Sequence, residues 1–285
     1  MTVLRRGENL IDRKIGIIGG GNMARSLVGG LTQRGVAARL ITVAEPVAAQ
    51  RAELEQRWHV QTSPDNREAV TSAAVVVLAV KPQHMSAVAS AIATDVQGSG
   101  AVVLSIAAGI RVHDLARWLG ATVPIVRSMP NRPALIGRGI SALYAGPGVP
   151  EAARADAQSI LSAVGATLWV EEESMLDTVT AVSGSGPAYF FLLMELLEAA
   201  GRELGLPADA ARQLAVETAY GAACMAHARV DDPATLREQV TSKGGTTAAA
   251  LAVFAEVDLA TIVRRAVTAA ARRSAELAVT YGGSA

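Results

Sequence analysis

The chain has 285 residues, enough for about two domains and a sizeable core, and its 51% hydrophobic and 18% charged residues exclude a disordered polymer. Lys plus Arg and Asp plus Glu are both 26, so no net charge draws the protein to nucleic acid or to an anionic membrane, although a local basic patch stays possible. The single cysteine, Cys224, excludes an intrachain disulfide framework and a multi-cysteine metal site.

The chain opens with Arg5 and Arg6, then Glu8 and Asp12, and no apolar signal core comes after them. Apolar runs reach only eight residues, as at 73–80, far short of a membrane span. A soluble, cytoplasmic globular protein is predicted, with neither membrane nor nucleic acid as partner. From residue 15 on, β-branched runs alternate with stretches of helical length. Strands are predicted at 15–18, 40–43, 75–80, 102–106, 125–127, 140–143 and 167–170, and helices at 22–34, 47–57 and 112–119. Several of the strands are apolar at consecutive positions, as in a parallel sheet buried on both faces. The alternation implies a doubly wound α/β domain over residues 1–170.

Past Val170 the β-rich runs stop. Phe190, Leu193, Met194, Leu197, Gly201 and Leu204 recur at helical spacing, and Pro207, Pro233 and Gly244-Gly245 punctuate the remainder of the chain. Each of these prolines stands where a helix can start. An all-helical domain is predicted over 171–285. Phe191, Leu192 and Leu196 widen the apolar stripe of its first helix, which suits either a dimer interface or a helix central to its own domain.

The most informative stretch is Lys14-Ile15-Gly16-Ile17-Ile18-Gly19-Gly20-Gly21-Asn22-Met23-Ala24. Gly19, Gly21 and Ala24 form G-x-G-x-x-A between a strand and a helix, the context of a dinucleotide fingerprint. Gly19 allows the tight turn, Gly21 admits the pyrophosphate, and Ala24 lets the helix approach the strand. The helix start at Asn22 offers free amides to phosphate. Glu45, at the end of the second strand, is the carboxylate expected on the ribose; it favours NADH, while nearby Arg51 leaves NADPH open. Ala79-Val80-Lys81-Pro82, Ala107-Ala108-Gly109 and Met129-Pro130-Asn131 end further strands, where a flat ring could lie or where ordinary loops could stand.

Val240-Thr241-Ser242-Lys243-Gly244-Gly245-Thr246-Thr247-Ala248 is a second cluster. Gly244 and Gly245 can aim consecutive amides at a carboxylate or phosphate, with the Thr246 and Thr247 hydroxyls as further partners. The alternative is a helix capped by its own threonine. Ser183-Gly184-Ser185-Gly186-Pro187 is a small-residue turn suited to close helix-to-helix approach, and it is no nucleophile elbow. His59, His84, His113 and His227 lack metal-ligand spacing and are expected at the surface or in loops, so no metal site is predicted. Cys224 is expected as a small core residue. The three lysines face 23 arginines, and two of them, Lys81 and Lys243, fall in candidate site loops.

Taken together, Ile17-Ile18-Gly19-Gly20-Gly21-Asn22-Met23-Ala24, Ala79-Val80-Lys81-Pro82, Ala107-Ala108-Gly109, Arg127-Ser128-Met129-Pro130-Asn131, Ser183-Gly184-Ser185-Gly186-Pro187-Ala188-Tyr189 and Ser242-Lys243-Gly244-Gly245-Thr246-Thr247 resemble, in order, the pyrroline-5-carboxylate reductase family. The resemblance implies a Rossmann-like domain followed by a helical dimerisation domain. It implies reduction of the C=N bond of 1-pyrroline-5-carboxylate to L-proline with NADPH or NADH, the final step of proline biosynthesis. Met23, Asn66, Val80, Lys81, Pro82 and Ala108 are then expected near the cofactor, and Gln239 matches a position near it. The substrate carboxylate is expected on backbone amides around Gly245, Thr246 and Thr247, with Gly244 in the same substrate loop, the Thr247 hydroxyl at the ring nitrogen as the catalytic group, and Glu173 near the substrate. A homodimer through the helical domain is implied, and a ring of dimers is compatible with it. Two positions depart from the family: Lys243 replaces the usual proline, and Glu45 stands where NADPH-preferring relatives often carry a small or cationic residue. The alternatives are another NAD(P)-dependent imine reductase or 3-hydroxy acid dehydrogenase on this scaffold, or a nonenzymatic dinucleotide sensor.

Overall fold

A computed structural model describes residues 11–228 and 231–283. They contain one sheet of β1 (Ile15–Ile18), β2 (Ile41–Ala44), β3 (Gln61–Ser63), β4 (Val75–Leu78), β5 (Val102–Ser105), β6 (Ile125–Met129), β7 (Gly139–Ala145) and β8 (Gly165–Trp169). Their order across the sheet is β3-β2-β1-β4-β5-β6-β7-β8. The chain leaves β1 toward β2 and β3, then returns to the other side of β1 with β4. That reversal is the switch point of a doubly wound sheet, as expected. Ile17 pairs in register with Val43 on one side and Val77 on the other.

The consecutive apolar residues of β1, β4 and β5 are all buried. Alternate side chains feed two core layers. Ile15, Ile17, Val75, Val77, Val102 and Leu104 meet α1 (Asn22–Gln33) and α6 (Glu151–Ser162) on one face. Ile18, Val76, Leu78 and Val103 meet α4 (Pro82–Ser99) and α5 (Val112–Leu119) on the other. Helix α1 buries Ala24, Leu27, Val28 and Leu31, the i, i+3, i+4, i+7 set of one stripe. Helices α2 (Ala48–Trp58) and α3 (Asn66–Val70) flank β3 in sequence.

Two features of the sheet differ from the expectation. Strand β3 was not predicted, because Gln61-Thr62-Ser63 has no apolar run. It forms by pairing with β2 at the sheet edge, where a polar strand is tolerated. Strand β7 runs antiparallel to β6. The link between them holds only a short 3-10 turn, Arg132–Ile136, too little chain for the crossover a parallel pair requires.

The chain divides into two compact units, one up to Gly184 together with the stretch from Ala270 on, the other Ser185–Ala269. Residues 171–184, after β8, fasten to the first unit. Glu173 pairs with Arg127, Leu176 of α7 (Met175–Val179) is buried, and Asn131 Nδ2 donates to Ser183 O. A π-helical turn, Thr180–Gly184, comes next. A Cβ on Gly184 would meet the terminal methyl group of Met129, at the end of β6. The second unit contains α8 (Gly186–Glu203), α9 (Ala208–His227), α10 (Pro233–Gln239), α11 (Thr246–Glu256) and the beginning of α12 (Leu259–Gly282). The end of α12 belongs to the first unit, where Ser274 Oγ donates to Asp177 Oδ1 at 2.7 Å and Arg117 donates to Gly282 O.

Candidate functional site

In the first unit the candidate site lies beyond the C-terminal ends of β1, β2, β4 and β5. Gly19 closes the turn after β1 with φ +99°, and its amide donates to Ala44 O at 2.8 Å. A Cβ there would sit 2.8 Å from Ala79 O. At Gly21 the space is open: a Cβ would meet no protein atom within 4 Å. Gly21 is also the N-cap of α1, with no side-chain cap and no acidic residue in the first turn. Unclaimed amides beside an open glycine fit a pyrophosphate. Asn22 is exposed and Met23 half-buried at this helix start.

Glu45 is 7% exposed and turned toward the glycine loop. Its Oε2 accepts from Gly20 N at 2.8 Å and its Oε1 from Val47 N at 2.9 Å. Each carboxylate oxygen keeps a second lone pair for a hydroxyl. Arg51 Nη1 donates to Glu45 O and Pro46 O at 2.7 and 2.9 Å, which fixes a cation at the same turn. Arg25 was missed by the sequence reading. Its Nε holds Gly20 O at 3.0 Å, and its position one turn into α1, beside the glycine motif, was the available signal. Asn66 starts α3, Lys81 is the N-cap of α4 and Pro82 its first residue; Val80 and Ala108 are half-buried at the ends of β4 and β5. Asn131 is tied into the fold on both sides, since its Oδ1 also accepts from Ile140 N at 3.0 Å. Glu173 Oε1 accepts from Arg127 Nη1 at 2.6 Å and from Val112 N at 2.7 Å.

In the second unit, Gly244 has φ +71° and Gly245 N donates to Ser242 O at 3.0 Å. Gly245 is the N-cap of α11, and no side chain caps the helix. The threonine-capped alternative is therefore not what forms. Thr246 and Thr247 open the helix, and Lys243 is exposed, with no ion pair among the described residues. Gln239 Nε2 donates to Asp231 Oδ2 at 2.8 Å.

Helices α8 and α9 expose their large apolar residues, Phe190 at 64% and Phe191 at 60% among them. The reading of α8 as the centre of its own domain fails, because only Gly186 of the helix is buried. Cys224 is likewise exposed rather than in a core, since α9 buries only Ala211 and Ala215 within the chain. The four histidines are exposed. No group of three or more His, Cys, Asp or Glu that could hold a metal gathers among the described residues. Among those residues no single helix is long and apolar enough to cross a membrane; α11 and α12 pass only as a pair bent by 57°.

A doubly wound sheet with an open glycine loop at its switch point, followed by helices that leave their apolar faces uncovered, defines a dinucleotide-binding protein of two units. Residues 14–109 match a family model described as NADP oxidoreductase, coenzyme F420-dependent, and residues 173–277 match one described as pyrroline-5-carboxylate reductase dimerisation. The chain is 48% identical to a pyrroline-5-carboxylate reductase of Pseudomonas aeruginosa over 94% of its length and 98% of the relative's. It is 36% identical to one of Arabidopsis thaliana over 93% and 95%. A solved reductase of this name from Coxiella burnetii superposes with a TM-score of 0.90 at 38% identity, covering 94% of this chain and 99% of that one. One from Plasmodium falciparum, with NADP bound, gives 0.83 at 25% identity, covering 95% and 100%. The chain belongs to the pyrroline-5-carboxylate reductase family. Its match to the dimerisation model supports a homo-oligomer.

Proposed function

We infer that this protein reduces the C=N bond of 1-pyrroline-5-carboxylate to L-proline with NADPH or NADH, the last step of proline biosynthesis. The observation that carries the reading is the 48% identity over nearly the whole length of both chains. Gly19, Gly21 and the amides at Asn22 receive the pyrophosphate, and Glu45 the ribose. Met23, Asn66, Val80, Lys81, Pro82 and Ala108 line the rest of the cofactor site. The dinucleotide, when bound, supplies a hydride to the imine carbon. The amides around Gly245, Thr246 and Thr247, in the loop that Gly244 opens, hold the substrate carboxylate, and the exposed Lys243 adds a cation beside it. The Thr247 hydroxyl hydrogen-bonds the ring nitrogen, which carries a proton drawn from solvent. Catalysis on this reading is mainly positioning of two partners by two glycine corners.

The protein is cytoplasmic on the same reading, and the helical units of two chains cover each other's apolar faces. A ring of such dimers is the larger assembly it allows. A 3-hydroxy acid dehydrogenase is disfavoured, because Lys243, the one lysine of the helical part, stands in an exposed glycine loop rather than on a helix face. The test is loss of reduced-nicotinamide absorbance that depends on added pyrroline-5-carboxylate, with proline as the product. Binding of the dinucleotide without imine-dependent oxidation would leave the sensor reading in its place.

A further inference from the structure

The proposed reaction makes no use of an ion pair inside the first unit. The Arg127 side chain on β6 is 8% exposed. Its Nη1 donates to Glu173 Oε1, while its buried Nε has no hydrogen-bond partner. The same Glu173 oxygen accepts from Val112 N. Val112 is the first residue of α5, whose amide has no carbonyl within the helix to bond. A carboxylate at that point also meets the positive end of the helix.

Immediately before Val112 runs the loop of residues 106–111, which leaves the C-terminal end of β5 and carries Ala108. Gly109 in this loop has φ +74°, and α12 lies behind it, so that a Cβ on Gly109 would come 3.4 Å from Ala278 N. Asp114 Oδ2 accepts from Arg111 N at 3.2 Å, closing the loop's far end from within α5. A single oxygen of Glu173, 61 residues downstream, thus joins that far end to β6. A buried guanidinium requires a counter-charge, which holds Glu173 in one place. The loop end is held with it.

We infer that Arg127 and Glu173 are positioning residues for the dinucleotide, acting through the β5–α5 loop. The inference rests on the proposed function, which puts Ala108 beside the dinucleotide. The test titrates reduced dinucleotide into the full-length protein and follows its fluorescence, which reads Kd without turnover. Glu173→Ala removes the acceptor from Val112 N and is expected to raise Kd about tenfold, with KM for the imine at saturating dinucleotide within about twofold of wild type. Glu173→Gln retains an oxygen for Val112 N and is expected to return Kd to within about threefold.

Because Glu173→Ala also strands the Arg127 charge, the double variant Arg127→Met/Glu173→Ala provides the control for folding. It is expected to regain Tm while dinucleotide binding stays weak. Recovery of Kd together with Tm overturns the inference. So does an unchanged Kd in Glu173→Ala, or a rise confined to the KM of the imine. A wild-type protein that binds dinucleotide but leaves pyrroline-5-carboxylate untouched counts against the proposed reaction alone, since the Kd comparison does not depend on it.

Discussion

Gly19 and Gly21 both lack a side chain, for different physical reasons. An alanine at Gly19 meets Ala79 O at 2.8 Å and must hold φ +99°, so Gly19→Ala is expected to lower stability by about 1–2 kcal/mol or more in thermal denaturation. An alanine at Gly21 meets nothing, and Gly21→Ala is expected to keep Tm while weakening dinucleotide binding about tenfold, because the methyl group takes up phosphate space. At Thr247, removal of the hydroxyl is expected to lower kcat/KM for the imine about tenfold, or about 1.4 kcal/mol, with dinucleotide Kd nearly unchanged. Unaltered steady-state kinetics would take Thr247 out of the mechanism. Glu45 predicts that NADH is used at least as well as NADPH, and the ratio of their kcat/KM values decides it; a strong NADPH preference refutes the role of Glu45. The left-handed turn at Gly19 and the open space at Gly21 were legible because both belong to a short motif whose spacing has a backbone cause. Arg25, Arg127 and the capping of Gly20 N by Glu45 were not, because long side chains choose partners across the fold.

The elements show the same division. Strands β1, β4 and β5 could be read from runs of Val, Ile and Leu, since burial on both faces favours apolar residues at successive positions. Strand β3 has no such run and exists because β2 offers an edge. The end of α12 is held to α7 by Ser274 and Asp177, a contact 97 residues apart in sequence. Asp177→Ala is expected to lower stability by about 1–2 kcal/mol through loss of a charge-assisted hydrogen bond, read as a fall in Tm. At the start of α10, Asp232 accepts from Thr235 N at 3.0 Å and Ala234 N at 2.8 Å. The Thr235 amide, then its hydroxyl, then the Ala234 amide hold this carboxyl below the usual aspartate range. A lowered folded-state pKa means that the cap's stabilisation is present above the unfolded pKa and is lost as pH falls through the folded one. The amide resonances of Ala234 and Thr235 are therefore expected to titrate at a lower pH than those beside an ordinary aspartate, and an ordinary midpoint contradicts the cap.

For the whole molecule, the exposed faces of α8 and α9 are the main physical fact. A lone chain showing Phe190, Phe191, Leu192 and Leu196 to water carries an apolar patch of the kind that marks an interface. Sedimentation is expected to find a dimer or a multiple of it. Phe190→Glu is expected to shift the distribution toward smaller species, because a charge desolvated in an apolar interface costs several kcal/mol; an unmoved distribution would place the interface elsewhere. The wide stripe on α8 was visible from residue spacing, but its two readings differ only in whether other helices of the same chain cover it, and helical periodicity carries no information about neighbours. The alternation of strands and helices and the two glycine corners arise from local rules, in which each residue type answers to its own backbone and to the nearest turns. The reversed β7, the fastening of residues 171–184 to the first unit, the return of α12 to that unit and the Arg127–Glu173–Val112 link depend on pairs far apart in the chain. Such pairs come together only when the sheet closes and the core excludes water, so no local pattern can encode them legibly.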